Sequence, residues 1–155
     1  MIPRWSTSRL AALVLCLAAC DETQRASYAT YEAAAQAGAV QRGWIPSFVP
    51  QSAIEMTEAH DLDLNTQRLR FRIPLGDVPR MTAGMEPLPL AEASAPSVRS
   101  PALSGDWPEE LTTPGQAPRA SLRLYRASAT GADAHCLAVE LDRGMVYVWS
   151  CERAT

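Results

Sequence analysis

Arg68-Leu69-Arg70-Phe71-Arg72-Ile73 alternates charged and apolar residues without a break, and Pro74 closes the run. At a period of two, Leu69, Phe71 and Ile73 fall on one face of a strand and the three arginines on the other. A helix would scatter both sets around its axis. A strand with one dry and one wet side implies an antiparallel sheet buried on a single face. Similar criteria predict strands at 53–58, 68–73, 120–126, 137–142 and 145–150. A short helix near 31–38 joins them: Thr30 can cap it, Glu32 suits its first turn, Ala33-Ala34-Ala35 propagate it and Gly38 stops it. Pro46 and Pro50 then forbid a helix interior, so the chain from Arg42-Gly43-Trp44-Ile45-Pro46 to Ser52 runs as an extended, turned connection. The fold class expected is α+β, a small antiparallel sheet with one short helix on a face and a long Pro/Ala-rich insertion.

A chain of 155 residues suits one domain. It is too short for a (β/α)₈ barrel, which needs about 250 residues. All 14 basic residues are arginine, against 17 acidic ones, for a net charge of −3. A mildly acidic chain without a basic run makes a poor nucleic-acid binder, and no nucleic acid is expected as a partner.

The N-terminus carries Arg4 and Arg9, then the apolar run Leu10 to Ala19. A spanning helix needs about 20 apolar residues, so this run is too short to remain in a bilayer. A positive start, a short apolar stretch and small residues at its end describe a secretory signal peptide. Leu17-Ala18-Ala19-Cys20 resembles the lipobox of bacterial lipoproteins, which implies cleavage before Cys20 and a diacylglyceryl group on its sulfur. Only a thiolate is nucleophilic enough for that thioether step. The expected partition is 1–19 signal peptide, 20–27 lipidated tether, and 28–153 a single domain interrupted by a low-complexity loop at 84–118. Asp21, directly after the cysteine, tilts the expected location toward the inner membrane. The loop holds seven prolines among Ala, Ser, Gly and Thr, more ordering entropy than its apolar content offsets. It reads as a tolerated insertion ahead of a spacer or partner-binding segment.

Between the second and third predicted elements lies His60-Asp61-Leu62-Asp63-Leu64-Asn65-Thr66. D-x-D-x-N opens like a calcium loop, yet an EF-hand requires Gly and Glu where Thr66 and Arg72 stand. A looser metal site from His60, Asp61 and Asp63 stays open beside a simpler one, in which Asp63 and Asn65 hydrogen-bond the backbone of a turn. Trp44, Trp107, Trp149, Tyr125 and Tyr147 could line a carbohydrate or peptide groove, and buried anchoring of a small core suits most of them better.

Near the C-terminus, Leu137 to Leu141 and Val146 to Trp149 flank a turn at Asp142-Arg143-Gly144. A two-residue Arg143-Gly144 loop sets Cys136 directly opposite Cys151, within reach of a disulfide. A three-residue loop with a bulge at Gly144 makes the pair diagonal. With Cys16 removed and Cys20 lipidated, these two cysteines are expected to pair in an oxidising compartment. The rival is a zinc site from His60, His135, Cys136 and Cys151, which lacks C-x₂₋₄-C spacing.

Taken together, Tyr31-Glu32-Ala33, Gly38-Ala39, Arg42-Gly43-Trp44-Ile45-Pro46, Pro50-Gln51-Ser52-Ala53, His60-Asp61-Leu62-Asp63-Leu64-Asn65 and Arg70-Phe71 resemble the YbbD-head-type domain of small bacterial lipoproteins. The similarity runs from Tyr28 to Ile73 and, more weakly, through Val146-Tyr147-Val148-Trp149. It departs at Asp63-Leu64-Asn65, where Asp-Thr-Asn is expected, and at the Pro/Ala insertion. The resemblance implies a fold and an envelope location, and it brings no catalytic residues.

Motifs for catalysis are absent: no G-x-S-x-G, H-E-x-x-H, phosphate-binding glycine loop or dinucleotide fingerprint. The expectation is a membrane-anchored envelope lipoprotein acting as a non-catalytic binding or accessory module. Its domain lies in the periplasm, and its partners are the membrane through Cys20 and envelope proteins or cell-wall glycan. No metal or cofactor is called for. Binding candidates are Trp44, His60, Asp61, Asp63 and Asn65. The competing expectation is a small periplasmic hydrolase or metal-dependent enzyme that uses His60 and Asp63 for acid/base work.

Overall fold

A computed structural model describes residues 23–63, 66–89, 107–113, 119–127 and 134–151. The expected signal peptide, Cys20, Asp21, Asn65 and most of the 84–118 loop lie outside these residues. Among those described, seven strands form one sheet in the order β1-β2-β3-β7-β6-β5-β4, with every neighbouring pair antiparallel. They are β1 (Gln24–Thr30), β2 (Ile54–Asp61), β3 (Thr66–Arg72), β4 (Glu86–Leu88), β5 (Leu122–Ala127), β6 (His135–Glu140) and β7 (Met145–Ser150). Three short helices accompany them: α1 (Tyr31–Gln36), α2 (Val78–Met81) and α3 (Glu109–Thr112). The fold is thus mostly β with small helical parts; the five predicted strands are correct in existence, β7 at its exact bounds and the other four with ends moved by one to three residues.

Helix α1 begins as its sequence dictates. The Thr30 hydroxyl accepts from the Ala33 N–H at 3.2 Å, and Glu32 lies in the first turn. Past its end Gly38 adopts φ +78°, and a β-carbon there would press on the Arg42 guanidinium. That guanidinium donates to the Ala37 carbonyl at 2.7 Å, pinning the chain that follows the helix back onto it.

Two strands went unforeseen. Gln24–Thr30 falls partly in the expected tether, yet it forms edge strand β1 on β2. Its side chains are exposed or half-buried, so it has no apolar alternation to betray it. β4 has only three residues and includes Pro87, tolerated because it is an edge strand with one hydrogen-bonded neighbour.

The sheet has apolar layers on both faces, where one dry and one wet face was expected. On the first, Met56, Leu69, Phe71, Leu137, Val139, Val146 and Val148 pack beneath Ala34, Ala39, Ile45, Val49 and Met81. On the second, Leu122, Leu124, Cys136, Ala138, Tyr147 and Trp149 are covered by Leu88, Trp107 and Leu111. Trp107 lies 5.5 Å from the Tyr147 ring and 5.9 Å from that of Trp149. The stretch expected to be low complexity therefore supplies a core tryptophan and helix α3. Arg119 fastens that cover, its Nε 2.5 Å from Glu110 on α3 and its Nη2 2.9 Å from the buried Glu140 on β6.

The C-terminal hairpin has a four-residue turn, so Glu140 faces Met145 and Cys136 faces Trp149. Gly144, at φ +68°, donates to the Glu140 carbonyl at 2.8 Å, and a β-carbon on it would collide with the Ile73 carbonyl. Both the two-residue and the three-residue turns are thereby corrected. Cys136 and Cys151 are diagonal neighbours, yet they are disulfide-bonded, with Cα atoms 5.6 Å apart. Right-handed twist shortens one of the two diagonals of a strand pair, which brings them within bonding range.

Candidate functional site

Strand β2 runs three residues further than predicted, and that changes the chemistry of His60. On a strand, Met56, Glu58 and His60 share one face, while Asp61 turns to the other. His60 is 5% exposed and Glu58 1%. The His60 Nδ1 lies 2.9 Å from the Glu58 carboxylate. The imidazole stacks on the Trp44 indole with centroids 4.0 Å apart, and the Arg42 guanidinium lies over the same indole at 4.0 Å. Burial pushes the Glu58 carboxyl above its ordinary value, with the His60 hydrogen bond pulling the other way. Tyr28 on β1 is raised as well, first by burial and then by the nearby Glu58 charge.

Gln67 on β3 ties this cluster together. Its side-chain amide donates to the Trp44 carbonyl, its Oε1 accepts from His135 Nε2 at 3.0 Å, and its backbone N–H donates to the Ser150 hydroxyl at 2.9 Å. One residue thus holds the Arg42–Trp44 segment, β6 and β7 in register. Gln67 stands opposite His60 on β2 and bonds His135 on β6, so both histidines lie at one end of the first face, on either side of an amide that no motif singles out.

A carboxylate bonded to imidazole Nδ1 is the arrangement that orients a general base, leaving Nε2 to take a proton. Here Nε2 is buried without a hydrogen-bond partner, as is the second oxygen of Glu58. The geometry of a dyad is present and its working nitrogen is sealed from solvent.

The other sequence candidates are dispersed. Asp61 accepts the Asp63 N–H at 3.0 Å, making a local turn in which Asp63 is exposed. The turn is the one expected, with Asp61 rather than Asp63 as the capping side chain. His60 and Asp61 point to opposite faces, so His60, Asp61 and Asp63 do not converge on a metal. Cys136 and Cys151 are oxidised to a disulfide and face away from His60, which removes the zinc alternative. Among the described residues no group of three or more His, Cys, Asp or Glu side chains is placed to hold a metal ion. Trp44 is half-buried against His60, and Trp107, Trp149 and Tyr147 are core anchors, while Tyr125 packs half-buried on the opposite face.

A strand ending at residue 58 hides Glu58, because β2 continues to Asp61. The i, i+2 spacing of Glu58 and His60 would have paired them had it been extended. An open groove of about 370 Å³ lies nearby, between residues 47–52 and the Asp77, Arg80 and Met81 side of α2. Ser52 donates to Asp77 across one wall at 2.6 Å. On the second face, burial pushes the Tyr147 hydroxyl up to about 12, with Glu140 adding to the shift.

Residues 22–72 match the YbbD head domain. The matched span ends with β3, whose outer edge pairs with β7 of the C-terminal hairpin. No curated protein and no solved structure matches the chain.

Proposed function

Starting from residues 22–72 as a YbbD head domain, we propose that the chain is an envelope lipoprotein. Its head is held at the periplasmic face of a membrane, the inner one on the strength of Asp21, by lipid on Cys20. It serves as a non-catalytic binding or accessory module toward envelope proteins or cell-wall glycan. The observation that carries the non-catalytic part is the closure of the Glu58–His60 pair. The best acid/base geometry in the described residues is spent on packing Trp44 against the sheet. The hydrolase alternative loses its pairing, since His60 is bonded to Glu58 and Asp63 stands exposed in a turn. The lipobox-like Leu17-Ala18-Ala19-Cys20 supports the anchor, and among the described residues no helix is long and apolar enough to cross a membrane.

Fractionation of cells expressing Cys20→Ser tests the anchor. The variant is expected to leave the membrane fraction or to accumulate uncleaved, because buried acyl chains supply about 0.8 kcal/mol per CH₂ of attachment. A correctly cleaved variant that still fractionates with membranes would contradict the assignment.

A further inference from the structure

The two edges of the sheet are built differently. The β4 edge is three residues long and carries Pro87, and a short strand with proline blocks further pairing. Its Glu86 is already paired with Arg126 on β5. At the other edge β1 is seven residues long, without proline or glycine and with a single charged side chain, Arg25. Among the described residues β2 is its one strand neighbour. An edge of that length and plainness is a template for another strand.

The ladder shows which main-chain groups are on offer. The Tyr31 N–H donates to the Ala53 carbonyl at 2.9 Å, in the register that also sets Ser27 opposite Thr57 and Arg25 opposite Ala59. Hydrogen-bonded pairs alternate along an antiparallel ladder, so the odd-numbered residues of β1 turn their N–H and C=O groups toward β2. Gln24, Ala26 and Tyr28 turn theirs outward.

We infer that β1 pairs with β1 of a second copy of this chain, antiparallel about a two-fold axis at Ser27, so that the sheet continues from one molecule into the next. Gln24-Arg25-Ala26-Ser27-Tyr28-Ala29-Thr30 is complementary to itself in that register. Ser27 meets its own copy, while Tyr28 and Arg25 each lie opposite an alanine, Ala26 and Ala29 respectively. No charge opposes its like: the two copies of Arg25 stand four residues apart, roughly 13 Å, beyond a screening length of about 8 Å. Ala26 and Tyr28 exchange both main-chain hydrogen bonds with their opposites, giving four across the axis. The half-buried Tyr28 rings are diagonal neighbours on the first face. A two-fold contact uses up both β1 edges and the β4 edges are guarded, so association stops at two. A lone strand pair falls below the roughly 1,200 Å² at which standard stable interfaces begin, which makes the dimer weak and reversible.

Cysteine cross-linking tests the register. Full-length protein carrying Ser27→Cys is oxidised at micromolar concentration beside the parent chain and Ala29→Cys, and the products are separated on a non-reducing gel. In the paired register the thiols introduced at 27 are directly opposed, with Cα atoms about 4.5 Å apart, whereas those at 29 are roughly 13 Å apart. Position 27 is expected to cross-link at least tenfold faster than position 29, and Cys136 and Cys151 take no part because they are bonded to each other. Any product through the remaining cysteines appears equally in the parent. Ala26→Pro removes an outward N–H and no donor to β2, so adding it to Ser27→Cys should slow cross-linking at least tenfold with the circular dichroism unchanged. Equal rates at 27 and 29, or no cross-link at either, would overturn the inference. So would cross-linking at 27 that Ala26→Pro leaves undiminished in folded protein. Where Ala26→Pro lowers the folded fraction, the contrast between 27 and 29 decides alone. In cell envelopes, a Ser27→Cys product of other than dimer mass would assign the edge to a foreign strand and overturn the inference as well.

Discussion

On the first face of the sheet, Leu69, Phe71, Val146 and Val148 are fully buried beneath α1 and the connection that follows it. On the second, the apolar layer covers β5–β7 and reaches Ala59 on β2, while the even-numbered residues of β3 are arginines at Arg68, Arg70 and Arg72. The same strand, β3, feeds both: its even-numbered arginines look outward while its odd-numbered apolar residues look in. Among the described residues, Glu58, His60 and His135 lie on the first face, where packing holds them. A titratable pair sealed inside a packed layer holds that layer together.

The sharpest way to break that contrast is to mutate across it within one strand. Phe71→Ala should cost about 3–5 kcal/mol in chemical denaturation, because it empties a fully buried aromatic site. Replacing Cys136 and Cys151 with serine should cost about 3 kcal/mol on the second face, the scale for closing a loop of this size, with the sheet retained. A loss of both sheet and membrane attachment would show that the hairpin does more than brace the second core.

The Glu58 carboxyl, raised by burial, gives a pH-dependent contribution whose sign is fixed. It is fully present below the ordinary carboxyl value of 4.5 and is lost as pH rises through the elevated native value. Glu58→Gln should therefore flatten the decline of stability with pH above 4.5, measured by denaturant unfolding at a series of pH values. An unchanged pH profile would place the dependence elsewhere. The smallest effect belongs to Arg72→Ala, which removes an exposed ion pair with Glu55. Its cost should stay under about 1 kcal/mol in the same assay, in contrast to its neighbour Phe71.

Strand β3 was legible because one of its faces is buried and the other wet, the condition under which alternation appears in sequence. The Thr30 cap and Gly38 stop were legible for a similarly local reason. Strand β1 was not, since an edge strand of Gln, Arg, Ala, Ser, Tyr and Thr buries too little on either side to pattern its residues. Helix α3 was hidden by surrounding prolines, whose composition speaks for the segment average, whereas Trp107 could be read by its type as a buried anchor. The disulfide partners could be chosen from compartment and count, but the register could not, because a four-residue turn slides the hairpin by two. His60 was singled out for its type, whereas its partner Glu58 and its clamp Gln67 depend on where strands end and which cross-strand neighbours meet.

Diethyl pyrocarbonate, which carbonylates exposed imidazole nitrogen, tests the central claim that His60 is sealed. In folded protein His60 should remain unmodified while the chain is native, and should react at the rate of free imidazole only after unfolding, as read by peptide mass spectrometry. Rapid modification of His60 in protein that keeps its native circular dichroism would contradict the account. It would place an open, reactive imidazole beside Glu58 and return the chain to the enzymes.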